Sequence, residues 1–274
     1  MPNSAAQQIT DAGYTIVAHR GFSGRYPEQT VAAYAAAIAF AEENDLELTL
    51  ECDVHFTADD QLVCLHDLTV DRTSDATGPL YEFTLEQLRQ VDFGSWFTTE
   101  PTAEEKSVIT LVELLDMIEA ARGRGAKIFL NLETKHPTPR GLEVDQRTAE
   151  ILIERGLDGP DSPIRMITFD AEALALLGRL LPNLRRTYLR GEMDPVQDGR
   201  LPDGVTIVGP DIERVREDPG FIARARSHGN EVHVWTVNTA DDTDYLRELG
   251  VTGFTTDFPD VVFDALSKSL LPTS

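Results

Sequence analysis

The sequence predicts a parallel (β/α)₈ TIM barrel, and three observations lead to it. The chain has 274 residues, close to the roughly 250 that such a barrel commonly takes as one unit. Eight short, strand-like runs alternate with longer runs of helical spacing, the pattern of successive βαβ units. No G-x-G-x-x-G follows the first run, so the open doubly wound sheet, the other reading of such alternation, lacks its fingerprint.

The strands are expected at Tyr14–Ala18, Leu48–Asp53, Lys127–Glu133, Ile164–Thr168, Arg186–Leu189, Val205–Gly209, Glu231–Val237 and Gly253–Thr256. Between them, Glu28–Asn44 is alanine-rich with one apolar face. Leu111–Arg124 stops at a Gly123/Gly125 pair, and Glu143–Arg155 stops at Gly156. Ala171–Leu181 starts after Asp170, a good N-cap, and ends before Pro182. Pro219–His228, Asp241–Leu249 and Pro259–Leu270 complete the helical set. The Gly191–Pro202 link is rich in Pro and Gly and has room for a short helix only. One stretch breaks the alternation. Residues 56–107 hold a strand-like Leu62–Leu65, polar turns and a short helical pattern near Leu85–Val91. They read as an insertion after the second strand, covering part of the barrel mouth. The whole of residues 1–274 reads as one domain carrying that insertion.

Composition narrows the function. Forty-one per cent of the residues are hydrophobic, enough for a large core. The 47 acids and 24 bases leave a formal charge of −23. Phosphate backbones and anionic membrane surfaces both call for concentrated positive charge, so no nucleic-acid partner is expected. Cys52 and Cys64 lie in apolar runs without CxxC spacing, which fits a reducing compartment rather than a disulfide scaffold. Met1–Thr10 is polar and lacks signal-peptide character, and no run of about 18 apolar residues offers a membrane span. The expected location is cytoplasmic; the oligomeric state is left open.

In such barrels chemistry sits at the C-terminal ends of the strands. The first strand runs into His19-Arg20-Gly21, the second ends Glu51-Cys52-Asp53 followed by His55, and the third ends Glu133-Thr134-Lys135. Strand side chains alternate, so Glu51, Asp53 and His55 share one face, and Glu133 and Lys135 another. Three carboxylates converging at one mouth repel each other, and a divalent cation resolves the conflict. Oxygen ligands suit Mg²⁺ or Ca²⁺. The competing reading is a buried ion-pair network with Arg20 and Lys135. One Arg and one Lys cannot neutralise three carboxylates and also bind a phosphate, which favours the metal. His19 and His66 are the candidate acid and base, since histidine titrates near neutrality. Arg20, a planar fork, and Lys135, a point charge, are the candidate phosphate ligands. Asp67, beside His66, is placed to orient its ring.

These pieces occur in a recognisable order: His19-Arg20-Gly21 with Pro27-Glu28-Gln29-Thr30, then Glu51-x-Asp53-x-His55-x-Thr57-x-Asp59, His66-Asp67 and Asp71-Arg72-Thr73. Downstream come Leu132-Glu133-Thr134-Lys135, Thr168-Phe169-Asp170, Val234-Trp235-Thr236-Val237-Asn238 and Thr256-Asp257-Phe258-Pro259. The combination resembles the glycerophosphodiester phosphodiesterase family over nearly the whole chain. The resemblance implies a (β/α)₈ barrel that cleaves small-molecule glycerophosphodiesters to glycerol 3-phosphate and an alcohol. It implies that Glu51, Asp53 and Glu133 hold one divalent cation, that His19 and His66 are the acid/base pair, and that Arg20 and Lys135 bind the phosphate. Glu28 then contacts the metal or orients Arg20, and Trp235 walls the glycerol pocket or simply packs at the mouth. The nucleophile is water or the glycerol 2-hydroxyl. One departure stands out: Gln29 occupies the place where the family usually has Asn. Two rival functions share the barrel. A lysophospholipase D or sphingomyelinase D-like enzyme needs an apolar groove, for which Phe93, Trp96 and Phe97 are candidates. A non-catalytic phosphate-binding module needs fewer of the site residues than are present.

Overall fold

The computed structural model describes residues 4–191 and 198–270. Its strands are β1 (Thr15–Ala18), β2 (Leu48–Phe56), β3 (Leu62–Cys64), β4 (Ile128–Thr134), β5 (Ile164–Thr168), β6 (Arg185–Arg190), β7 (Ile207–Pro210), β8 (Glu231–Val234) and β9 (Gly253–Thr256). Eight of them form a ring of parallel neighbours in the order β1-β9-β8-β7-β6-β5-β4-β2, closed by the β1–β2 pairing. The ninth, β3, lies outside the ring and runs antiparallel to the far end of β2. This is the (β/α)₈ barrel that the alternation predicts.

The side-chain alternation builds both layers. Along β2, Leu48, Leu50, Cys52 and Val54 are fully buried, as are Ile128, Leu130 and Leu132 along β4. They belong to one continuous core with Leu111, Leu114, Leu115 and Ile118 of helix Leu111–Gly123. The opposite face of the same strands carries Thr49, Glu51, Asp53, Asn131 and Glu133, all buried polar groups. Apolar side chains therefore face the helices while polar ones fill the barrel, and every second residue of β2 and β4 is delivered to the interior.

The helices are α1 (Ala5–Asp11), α2 (Val31–Asn44), α3 (Leu85–Leu88), α4 (Ala103–Lys106), α5 (Leu111–Gly123), α6 (Glu143–Glu154), α7 (Ala171–Leu180), α8 (Ile212–Glu217), α9 (Gly220–Ser227), α10 (Ala240–Leu249) and α11 (Pro259–Leu270). The Asp170 carboxylate caps α7, accepting from the Ala173 N–H at 2.8 Å. Helix α2 starts at Val31 rather than at Glu28. The Thr30 hydroxyl caps it, and Gln29 sits at φ +57°, outside the helical region. That correction frees Glu28 and Gln29 for the site. Helices α1, α4 and α8 have no counterpart in the sequence reading. The first carries its signal in Ser4, which caps it, and in the buried pair Ala6 and Ile9. Strand β8 ends at Val234, earlier than Val237, and Trp235 pairs across to Asp211 instead. Residues 192–197 of the Gly191–Pro202 link, with the short helix expected there, fall outside the described residues.

The insertion returns along β3 and has its own small core of Val63, Leu65, Val70, Leu80, Leu88, Phe93 and Val108. Phe93 is thus an anchor. Trp96 and Phe97 are exposed, 5.5 Å apart edge to face, and neither lines the cavity at the barrel mouth. Among the described residues no helix is long and apolar enough to cross a membrane.

The middle of the barrel is polar. His233 on β8 is buried, and its ring lies where a Cβ on Gly253 of β9 would stand, 2.2 Å from the ring. Burial holds its pKa down to about 4, against the pull of Glu231. A histidine depressed in the fold and ordinary when unfolded favours folding above its unfolded pKa, and that contribution is lost as pH falls. Urea denaturation between pH 7 and pH 4 should therefore show stability declining through this window, and His233→Gln should show a shallower decline.

Candidate active site at the barrel mouth

Register brings the acids together. Asp53 of β2 pairs with Glu133 of β4, and Glu51 stands one inward position below Asp53. One ligand oxygen from each of Glu51, Asp53 and Glu133 lies within 4.8 Å of the others, and all three side chains are buried. Two cations reach them. Lys135 Nζ is 2.8 Å from Glu133 and 3.2 Å from Asp53. The Arg20 guanidinium is 2.9 Å from Glu28 and 3.4 Å from Asp53. Among the described residues, Glu51 accepts only the Arg20 backbone N–H, at 2.8 Å.

The electrostatics follow from that count. Burial works against the Asp53 charge, but Lys135 and Arg20 outweigh it and hold its carboxyl below the usual range. Glu133 is pushed up to about 7 by burial and the neighbouring Asp53, despite Lys135. Burial drives Glu51 well above the carboxylate range, and Asp53 and Glu133 drive it further. The ion-pair network weighed from the sequence does form, yet it leaves Glu51 and Glu133 short of positive charge. A hard divalent cation fits that deficit and those oxygen donors.

The two histidines line one cavity with this cluster, about 100 Å³ in volume. His19 follows β1, and its Nδ1 is 2.7 Å from Asp257 Oδ1, just past β9. The Ser23 hydroxyl (2.9 Å) and the Asn238 amide (2.7 Å) also donate to Asp257. Those bonds outweigh its burial and hold it at about 2. His66, in the insertion just beyond β3, sets its Nδ1 2.6 Å from Asp67, so the neighbouring carboxylate does reach its ring. Burial lowers the His66 pKa. With both Nδ1 atoms bonded to carboxylates, each ring keeps Nε2 for the cavity.

A chain of charged bonds ties the insertion to the barrel. Arg72 donates to Asp67 at 2.6 Å and, through both terminal nitrogens, to Glu28 at 2.8 and 2.9 Å. Glu28 in turn holds Arg20, so it orients that residue and stands outside the acidic triad. His55 is buried and lies behind the site: its Nε2 is 3.2 Å from the His66 carbonyl oxygen, and burial lowers its pKa to about 4. Trp235 and Phe169 pack at 88° with centroids 5.6 Å apart, forming with Ile167 and Leu189 the apolar wall of the cavity. Lys135 Nζ lies 5.8 Å above the Phe169 ring. The structure thus gathers His19, Arg20, Glu51, Asp53, His66, Glu133, Lys135 and Trp235 around one space.

Sequence reasoning gave no role to Asp257, Ser23, Asn238 or Arg72. Asp257 directly follows the last strand, which is the same signal that marks His19. Arg72 stands in the Asp71-Arg72-Thr73 motif, but its partner Glu28 is 44 residues away, so the motif alone does not show the pair.

Fold and site together define a (β/α)₈ barrel whose acidic mouth also gathers two histidines, an arginine and a lysine. The family model described as "Glycerophosphoryl diester phosphodiesterase family" matches residues 19–261, and the chain belongs to that family. It is 34% identical over 253 residues to the Mycobacterium tuberculosis protein named "Probable glycerophosphodiester phosphodiesterase 1", covering 89% of each chain. It is 32% identical over 259 residues to the Bacillus subtilis glycerophosphodiester phosphodiesterase, covering 89% of this chain and 84% of that one. The fold is shared with an Oleispira antarctica phosphodiesterase solved with the product sn-glycerol-3-phosphate, at TM-score 0.75 and 24% identity, covering 94% of this chain and 98% of that one. It is also shared with an Agrobacterium tumefaciens glycerophosphodiester phosphodiesterase, at TM-score 0.70 and 23% identity, covering 92% and 99%.

The Gln29 departure has a structural account. Its amide donates to Asp53 Oδ2 at 2.8 Å and accepts the Asp53 N–H at 3.0 Å, clamping the carboxylate that the site is built around. Gln29→Ala strands a buried N–H and should lower the unfolding free energy by about 1–3 kcal/mol, read by urea denaturation.

Proposed function

We propose that the protein hydrolyses glycerophosphodiesters to glycerol 3-phosphate and an alcohol, with His19 and His66 as the acid/base pair. The observation that carries this reading is two histidines, each bound to a carboxylate through Nδ1, lining one cavity with a cluster that also offers Arg20 and Lys135. Family membership and the named activities of the relatives support it.

Glu51, Asp53 and Glu133 would hold one divalent cation, Mg²⁺ or Ca²⁺. When bound, that ion supplies Lewis-acid polarisation of the phosphoryl oxygens. The chain supplies the rest. Arg20 and Lys135 grip non-bridging oxygens and stabilise the charge that develops on them. One histidine takes the proton of the nucleophile, either water or the glycerol 2-hydroxyl, and the other gives a proton to the leaving alkoxide; in the second case water then opens the cyclic phosphate to glycerol 3-phosphate. Asp257 and Asp67 fix the ring tautomers and favour the imidazolium while it carries the extra proton. The wall of Phe169 and Trp235 packs against the carbon skeleton of the glycerol and limits water.

Purified protein should release glycerol 3-phosphate from glycerophosphodiesters, lose that activity with EDTA, and regain it with Mg²⁺ or Ca²⁺. His19→Ala and His66→Ala should each cut the rate by about 10²–10⁴-fold while remaining folded by circular dichroism. Near-normal rates in both variants contradict the assignment. Glycerophosphocholine should turn over faster than lysophosphatidylcholine; the reverse order favours the lysophospholipase D reading. No turnover of either, with any metal, favours a binding module.

A further inference from the structure

A second cavity opens at the opposite end of the barrel, where the strands begin. It measures about 240 Å³ and is lined by Thr49, Asn131, Arg165, Asn183 and Arg185, with one carboxylate, Glu47, at its edge. Arg165, the second residue of β5, points into the barrel between this space and the upper one. One terminal nitrogen is 3.4 Å from Asn131 Oδ1 and 3.3 Å from His233 Nδ1. These are long contacts with neutral groups. Its Nε is buried with no hydrogen-bond partner. Among the described residues it forms no salt bridge: Glu231 and Glu47 act on it only at longer range, while Arg185 repels it. Burial and that repulsion lower its pKa to about 10, still charged at neutral pH. Arg185 is already paired, 2.6 Å from Glu231.

A buried guanidinium beside a polar cavity, with a donor unspent and no carboxylate within ion-pair distance among the described residues, is only partly compensated by Glu47 and Glu231. Water can satisfy its hydrogen bonds but not its charge. We infer that the lower cavity is a binding site for a small oxyanion, of the phosphate or carboxylate class, held by Arg165. The guanidinium would offer the anion its terminal N–H donors, while Nε is sealed from the cavity. The Thr49 hydroxyl and the side-chain amides of Asn131 and Asn183 line the rest of the space. The anion would sit under the layer of Asn131, Arg165 and His233 that separates the two cavities, and Asn131 and His233 also line the upper one. The inference stands apart from the reaction proposed at the mouth.

The test must separate this site from Arg20 and Lys135, which also attract phosphate. Thermal unfolding is followed in inorganic phosphate against sodium chloride of equal ionic strength, for the wild type, Arg165→Met and Lys135→Ala. The expected result is a phosphate-dependent rise of the midpoint that persists in Lys135→Ala and is clearly smaller in Arg165→Met than in the wild type. A full rise in Arg165→Met, or none in Lys135→Ala, overturns the site. Should Arg165→Met fail to fold, wild-type crystals soaked in selenate give the answer by anomalous diffraction. A selenium peak against the Arg165 guanidinium supports the inference. A peak only between Arg20 and Lys135, or no peak at all, overturns it.

Discussion

Three carboxylates, Glu51, Asp53 and Glu133, are packed at the ends of two neighbouring strands, and most of the mouth is arranged around that repulsion. The β2–β4 register sets Asp53 opposite Glu133. Lys135 and Arg20 are drawn in as counter-charges, and Gln29 clamps Asp53 by side chain and backbone. Even so, Glu51 and Glu133 remain above the ordinary carboxylate range. In a buried setting, charges of one sign persist only with compensation, and the protein's own cations fall short. A cation bound there would also reconcile a strongly acidic chain with an anionic substrate. The local field at the mouth is set by close groups, while the surface acids act through screening water.

The second constraint is orientation. A histidine ring is useful in proton transfer only if its tautomer and its direction are fixed. Asp257 does this for His19 from the last strand, and Asp67 does it for His66 from the insertion. The insertion is anchored by the β2–β3 pairing, and the bonds of Arg72 to Asp67 and Glu28 further couple His66 to the residue that holds Arg20. A segment that interrupts the βα alternation thereby becomes part of the site, with its own small core keeping it rigid.

Much of this was legible in the sequence, and the limits have physical causes. Alternation within β2 and β4 showed which side chains meet, because the period of a strand is fixed once its run is recognised. The barrel followed from the order of strands and helices. Contacts between segments distant in sequence were harder to read. Arg72 and Glu28 are separated by 44 residues, and nothing local marks the pair. Helix α2 was drawn too long because Glu28 and Gln29 suit a helix by composition. The positive φ at Gln29 and the Thr30 cap override that preference. The exposure of Trp96 and Phe97 was equally invisible, since an aromatic cluster reads alike whether it covers a groove or faces solvent. The polar interior around Arg165 and His233 left no pattern, because those residues belong to different strands.

The central claim is that one divalent cation completes the carboxylate cluster. Crystals grown with Mn²⁺, which accepts the same oxygen ligands as Mg²⁺ and scatters anomalously, test it directly. The account predicts a single strong peak bounded by the Glu51, Asp53 and Glu133 carboxylates. A cluster without metal at saturating Mn²⁺, or a peak elsewhere, would contradict it.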